Sequence, residues 1–345
     1  MIELEYQFNP QWDIEVELEY EHGGTGAALE YDGFEEFGEF ESEIEAGGEV
    51  IVEQLALTYH YSKDTSIEFG NIYVPVGIGT ELHKPSQYFT TERHWSEATL
   101  IPQTWHENGI KVTTQWQDFS AQVMLSSGLN SEYFRTYSWV AGGHQKRFEQ
   151  VNSDDLALTL RFDYGDVKHG SGVGFSFYSA DTGGNRNNEG KLAADAHVNI
   201  YGLHGAFRGG NWVMRGQYLF GELEDSQAIT AANKTTPGLQ PGNFSQIGSE
   251  SAALFGEIAY NTQSLFELDH PLYFFAAFES ANPIKAVEQG IATDRFDISE
   301  FSLGANYLPI PQLVIKAQLS EQQYEQANID DTHTFSMSFG YQFTL

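Results

Sequence analysis

The sequence predicts an all-β protein, an antiparallel transmembrane β-barrel of about 16 strands, of which roughly 14–16 are visible in the chain. Three observations predict it. Apolar and polar side chains alternate with period two along most of the 345 residues, with no sustained i, i+3, i+4, i+7 pattern. The alternating segments are about ten residues long, the length a tilted strand needs to cross a bilayer. Short and long connections alternate between them, as in a meander with one trimmed rim and one elaborate rim. Residues 1–345 are expected to form this one domain.

The segments justify themselves in order. Ile2–Phe8 leads through Asn9–Gln11 into Trp12–Glu21, where Ile14, Val16, Leu18 and Tyr20 oppose Asp13, Glu15, Glu17, Glu19 and Glu21. Beyond the polar stretch Gly23–Gly48, Val50–Tyr61 and Ser66–Val76 flank the turn Ser62–Thr65. Gly77–His106 separates them from Gly109–Trp116, which turns at Gln117–Asp118 into Phe119–Leu125. In Leu156–Tyr164, Leu156, Leu158, Leu160, Phe162 and Tyr164 oppose Ala157, Thr159, Arg161 and Asp163. Gly172–Ser179, Ala196–Arg208, Trp212–Gly221, Ala252–Asn261, Leu272–Glu279, Ile298–Leu308 and Leu313–Leu319 follow. Thr332–Leu345 is clearest, with Phe335, Met337, Phe339, Tyr341, Phe343 and Leu345 on one face and small uncharged groups on the other. In Ala196–Arg208, Val198 and Ile200 fall on one parity and Leu203 and Phe207 on the other, so a β-bulge is expected. The first and last segments run in the same direction and cannot pair antiparallel. One further strand is therefore expected, upstream or inside Gly23–Gly48.

Composition narrows the function. Forty-nine acidic against 17 basic residues give a formal charge of −32, which excludes a general affinity for nucleic acid. The absence of cysteine removes disulfides, zinc–thiolate sites and Cys nucleophiles together. Hydrophobic content of 41% and aromatic content of 14% are enough to fold. No apolar run approaches roughly 18 residues, and the start Met1–Phe8 lacks the basic and apolar regions of a signal peptide, so a trimmed form of an exported chain is expected. No G-x-S-x-G, H-E-x-x-H, P-loop or EF-hand pattern occurs, so no enzyme, cofactor or metal is expected.

Residues 69–116 carry a resemblance. Phe69-Gly70-Asn71-Ile72-Tyr73-Val74-Pro75-Val76-Gly77 resembles the strand end of the phosphate-selective porin O/P group of bacterial outer-membrane porins. Glu92-Arg93, then Ile101-Pro102-Gln103-Thr104-Trp105-His106-Glu107-Asn108-Gly109, is similar to the segment that opens the next strand in porin-like relatives. The aromatic last strand is similar to the assembly signal of outer-membrane proteins. Asn71 stands where the motif has Arg, and the chain ends in Leu345 rather than Phe. The family's arginine-rich pore is missing, so phosphate specificity is not implied. The resemblance implies the bacterial outer membrane, short periplasmic turns, long extracellular loops, surrounding lipid and lipopolysaccharide, a homotrimer, and small hydrophilic solutes or ions as cargo.

If apolar parity faces lipid, the other parity lines a channel. It carries the ladder Glu15, Glu17 and Glu19 with Glu3 and Glu5 beside it, then Lys111, Arg161, Asp163, Arg215, Glu257, Glu279 and Lys316. A mainly acidic inner surface predicts cation preference. The bland alternative is that each carboxylate is a solvated group on a wet wall. Loop 77–106 is the candidate constriction, with Tyr88, Phe89, Trp95 and Trp105 to pack and Glu81, His83, Lys84, Glu92, Arg93, His94 and Glu97 to present charge. A siderophore or metal-uptake barrel, a scaffold sheathing a partner such as a cytochrome, and a lipid-acting barrel enzyme are the alternatives.

Overall fold

Alternation of β-branched, aromatic and small polar residues favours extended backbone with two unlike faces. The computed structural model describes residues 1–20, 26–31, 42–47, 50–145, 150–186, 191–235 and 246–342. Its strands are β1 (Ile2–Asn9), β2 (Trp12–Tyr20), β3 (Gly26–Tyr31), β4 (Ser42–Gly47), β5 (Val50–His60), β6 (Thr65–Tyr73), β7 (His106–Trp116), β8 (Phe119–Ser127) and β9 (Leu156–Gly165). They continue as β10 (Gly172–Ala180), β11 (Val198–Gly209), β12 (Trp212–Leu223), β13 (Glu250–Asn261), β14 (Leu272–Ala286), β15 (Ile298–Ile310), β16 (Leu313–Tyr324) and β17 (Thr332–Tyr341). Two short helices, α1 (Trp95–Leu100) and α2 (Ser226–Asn233), sit in long loops. They are too brief to show a helical period in sequence and were not expected.

Fifteen strands form one antiparallel sheet in chain order, each bonded to its neighbours, while β3 and β4 pair only with each other. The strand sought inside Gly23–Gly48 is thus not a stave of the wall: the described part of that stretch is a separate hairpin. β1 and β17 are the two edges of the sheet and point the same way. The tight two-residue turns all fall at one rim, and the longest connections at the other. Phe343 and Leu345 of the last segment lie outside the described residues.

The outer face inverts the usual distribution of a soluble protein. In β9, Leu156, Leu158, Phe162 and Tyr164 are exposed while Ala157, Thr159, Arg161 and Asp163 are buried. The same alternation leaves Val123, Leu125, Phe175, Leu203, Met214, Phe301, Leu319 and Phe339 exposed. At the short-turn rim, aromatic pairs form a girdle: Trp12 with Tyr59 at 4.7 Å, Trp116 with Phe119 at 5.8 Å and Trp212 with Tyr260 at 4.7 Å. No helix among the described residues is long and apolar enough to cross a membrane.

The expected bulge in Ala196–Arg208 is absent. β11 keeps an unbroken register with β10 and β12, so Val198 and Ile200 point inward and are fully buried, while Leu203 and Phe207 point outward. The parity conflict has another cause. Part of the interior is dry: Ile72, Met124, Tyr178, Ile200 and Leu219 of the wall pack with Leu100, Ile101, Trp105, Phe134 and Trp139 of the long loops in one apolar cluster. A bulge occurs instead between β2 and β5, where Glu17 faces Gln54 and Leu18 faces Val52, leaving Glu53 unpaired. Asn71 braces it, its Nδ2 donating to the Val52 and Glu53 carbonyls at 3.0 and 3.1 Å. Gly70, one residue earlier, has φ +128°, and a Cβ there would collide with the Leu55 carbonyl oxygen, so only glycine fits.

The outward face predicts a specific cost. Leu160→Arg, midway along β9, is expected to destabilise the protein in lipid vesicles by about 2–4 kcal/mol, because a lipid-facing cation cannot be hydrated. Urea unfolding measures it, and an unchanged midpoint would mean that this face meets water.

Candidate functional site

The segment between β6 and β7 crosses the interior, and its contacts show how. Pro75 ends strand pairing, since it has no N–H to give to a ladder. Gly77, at φ +67°, turns the chain inward. The Gly77 N–H donates to Ser176 Oγ at 3.0 Å, the Ile78 N–H to Gln217 Oε1 at 2.9 Å, and Arg161 donates to the Gly77 carbonyl at 2.8 Å. These fix one end against β9, β10 and β12.

Its middle reaches the far wall. His83 lies 3.1 Å from Glu17, Lys84 pairs with Glu3, and Pro85 packs so tightly on Gly340 that a side chain there would clash. Lys316 Nζ donates to the Tyr88 and Thr90 carbonyls, both at 2.8 Å. Asn306 donates to the Phe89 carbonyl at 3.0 Å, and the Thr91 N–H donates to Gln318 Oε1 at 2.9 Å. Thr91 also bonds Ser336 and Ser338 of β17. One loop therefore touches strands from β9 through β17 and also β1 and β2. Such contacts require the sheet to curl around it.

The third anchor is charged. The Phe89 and Ser96 N–H groups donate to Glu257 and Glu279 at 3.1 and 3.0 Å. His94 sits between the same two carboxylates, each ring nitrogen 3.5 Å from an oxygen, with its ring stacked 3.9 Å from Phe255. Arg215 pairs with Glu257 at 2.6 Å. Burial pulls the His94 pKa down, but Glu257 and Glu279 together outweigh it and push it up to about 9, so the imidazole is a cation at neutral pH. Burial raises the Glu97 carboxyl, which Arg93 faces at 3.9 Å and Gln217 hydrogen-bonds. A small cavity of about 20 Å³ lies here, lined by Leu82, Tyr88, Arg93, His94, Glu97, Arg215, Phe255 and Glu257.

The residues expected on the inner parity divide into two groups. Arg161, Asp163, Glu257, Glu279 and Lys316 are buried and Arg215 is half-buried, all held in ion pairs or bonded to the loop. Lys111 pairs with Glu68 at 2.9 Å. Glu15 and Glu19 stay half-exposed on β2, and Glu17 between them is bonded to Tyr73 and His83. Glu3, Glu5 and Glu15 have carboxylate oxygens within 4.8 Å of one another. Glu92 is exposed, and the Glu81 side chain lies outside the described residues. Glu53, Glu68, Tyr73 and Glu107 were missed. Glu107 accepts from Trp105 Nε1 and Ser127 Oγ at 3.2 and 2.8 Å, and its place in the Trp105-His106-Glu107 run was the available signal.

Fold and site together define an antiparallel β-barrel with one loop held across its interior, the fold of outer-membrane porins. Several solved structures share the fold. The outer membrane channel DcaP of Acinetobacter baumannii matches with TM-score 0.59 at 10% identity, over 99% of this chain and 83% of that one. OmpF of Salmonella typhi in complex with daunomycin matches with TM-score 0.59 at 13% identity, over 99% and 88%. OmpT of Vibrio cholerae, an outer membrane protein in its trimer form, matches with TM-score 0.50 at 11% identity, over 98% and 86%. An uncharacterized protein of Aquifex aeolicus (strain VF5) is 25% identical over 343 residues, covering 97% of this chain and 72% of that protein. No protein-family model matches.

His94 gives the loop a pH signature. Its pKa in the fold lies above the ordinary 6.5, so its attraction contributes fully below about pH 6.5 and is lost as pH rises through about 9. Between those values the wild type is expected to lose stability relative to His94→Gln, by at most about 3 kcal/mol. Thermal unfolding across that range checks it, and parallel pH profiles would refute it.

Proposed function

We propose that this barrel is a porin of the bacterial outer membrane, passing small hydrophilic solutes or ions and preferring cations. The observation that supports the reading is the arrangement of loop 77–106 inside the wall, facing the carboxylates of β1, β2 and β5. The loop narrows the interior, its bases His83 and Lys84 are matched by Glu17 and Glu3, and Glu15 and Glu19 stay accessible beside it. A narrow aqueous path along uncompensated carboxylates concentrates cations and excludes anions.

The same occupancy favours small cargo over a sheathed cytochrome, because a loop crossing the interior leaves no room for a folded partner. The alternative of siderophore or metal uptake gains nothing specific from these contacts. Lipid and lipopolysaccharide surround the outer face in this reading, and the porin-type fold suits a homotrimer. The phosphate-selective group remains a resemblance of residues 69–116, since Asn71 braces a bulge where that group has Arg.

Planar-bilayer recording tests the reading. The wild type is expected to conduct, with a cation-selective reversal potential in a salt gradient. Replacing Glu15, Glu17 and Glu19 together by Gln is expected to lower the cation-to-anion permeability ratio by roughly twofold or more. A silent barrel, or an anion-selective one, would overturn it.

A further inference from the structure

Three observations converge on Glu53. The β2–β5 bulge makes it the extra residue of its strand, so it turns to the inner face together with Gln54, and both are buried. Bulges re-aim side chains in this way, and Asn71 fixes this one through both flanking carbonyls. The Glu53 side chain is nine-tenths or more buried, with 3% of the residue exposed, and its Oε2 meets no hydrogen-bond donor among the described residues. The group beside it is another acceptor, the carboxyl of Glu19.

The surrounding cations are committed elsewhere. Both oxygens of Glu17 are occupied, by Tyr73 and His83, and Lys84 pairs with Glu3. Arg93, the loop base that faces Glu53, bonds Thr104 and lies 3.9 Å from Glu97. A buried carboxylate facing a second carboxylate without a donor is an unfavourable arrangement unless a proton or a positive ligand joins it. Carboxylate oxygens on adjacent strands are the ligands a hard divalent cation takes, with water completing its shell.

We propose that Glu53 and Glu19 bind a divalent, oxygen-seeking cation, of which Ca²⁺ is the probe, on the inner wall of the barrel. The site differs from the exposed cluster of Glu3, Glu5 and Glu15, whose proximity alone carries no such claim. Its charge balances, two carboxylates against two positive charges. The bulge supplies the placement that a regular strand would not.

Isothermal titration calorimetry with CaCl₂ on the full chain folded in detergent tests the site, at fixed ionic strength and neutral pH, whether or not the barrel conducts. One saturable site is expected. Glu53→Gln and Glu19→Gln are each expected to weaken it by about tenfold or more, on the scale seen when groups supporting a metal are removed. Glu3→Gln with Glu5→Gln is expected to leave it unchanged. Folding of each variant is verified by circular dichroism, and Glu19→Gln carries the test if Glu53→Gln does not fold. Absence of Ca²⁺ binding together with an infrared band of a protonated carboxyl lost in Glu53→Gln would overturn the proposal, the pair then sharing a proton. Binding abolished by the Glu3 and Glu5 changes but not by Glu53→Gln or Glu19→Gln would overturn it as well.

Discussion

A strand in hydrocarbon has to satisfy every N–H and C=O from within the protein, and the rest of this structure depends on that constraint. It explains why fifteen strands bond only to neighbours in one antiparallel sheet, and why the sheet wraps rather than lying flat. It also explains why charged groups are absent from the exposed parity of β9 and gathered on the inner one. With the outer face committed to oil, all polar chemistry has a single place to go.

Inside, polarity is managed by pairing rather than by water alone. Arg161 with Asp163, Arg215 with Glu257 and Lys111 with Glu68 each place opposite charges within 2.9 Å. Backbone carbonyls of the loop accept further hydrogen bonds from Lys316 and Arg161. Buried ions without such partners cost far more than the pairs return, so these contacts fix the loop's position while contributing modest net stability. The acidic strands β1 and β2 lie at the other extreme, with more carboxylates than bases to meet them.

Much of this was readable from sequence, and the failures have physical causes. Outward parity was legible wherever lipid faced one side, as in Leu156–Tyr164, because hydrocarbon tolerates few exceptions. Ala196–Arg208 misled because Val198 and Ile200 meet an apolar plug instead of water, and alternation cannot tell oil outside from a dry core inside. Only the candidacy of loop 77–106 as a constriction was legible, from its length and aromatics. Its partners were not, since contacts with Gln318 or Glu257 span well over a hundred residues of chain. Glu53 escaped notice because a bulge breaks the period-two rule that parity reasoning applies.

The loop's reach to Lys84–Glu3 on one edge strand and Pro85–Gly340 on the other means that it spans the seam where the two ends of the sheet come nearest. Two adjacent residues thereby hold both ends of the wall, so what joins the margins of the sheet there is a pair of side chains borne by the loop.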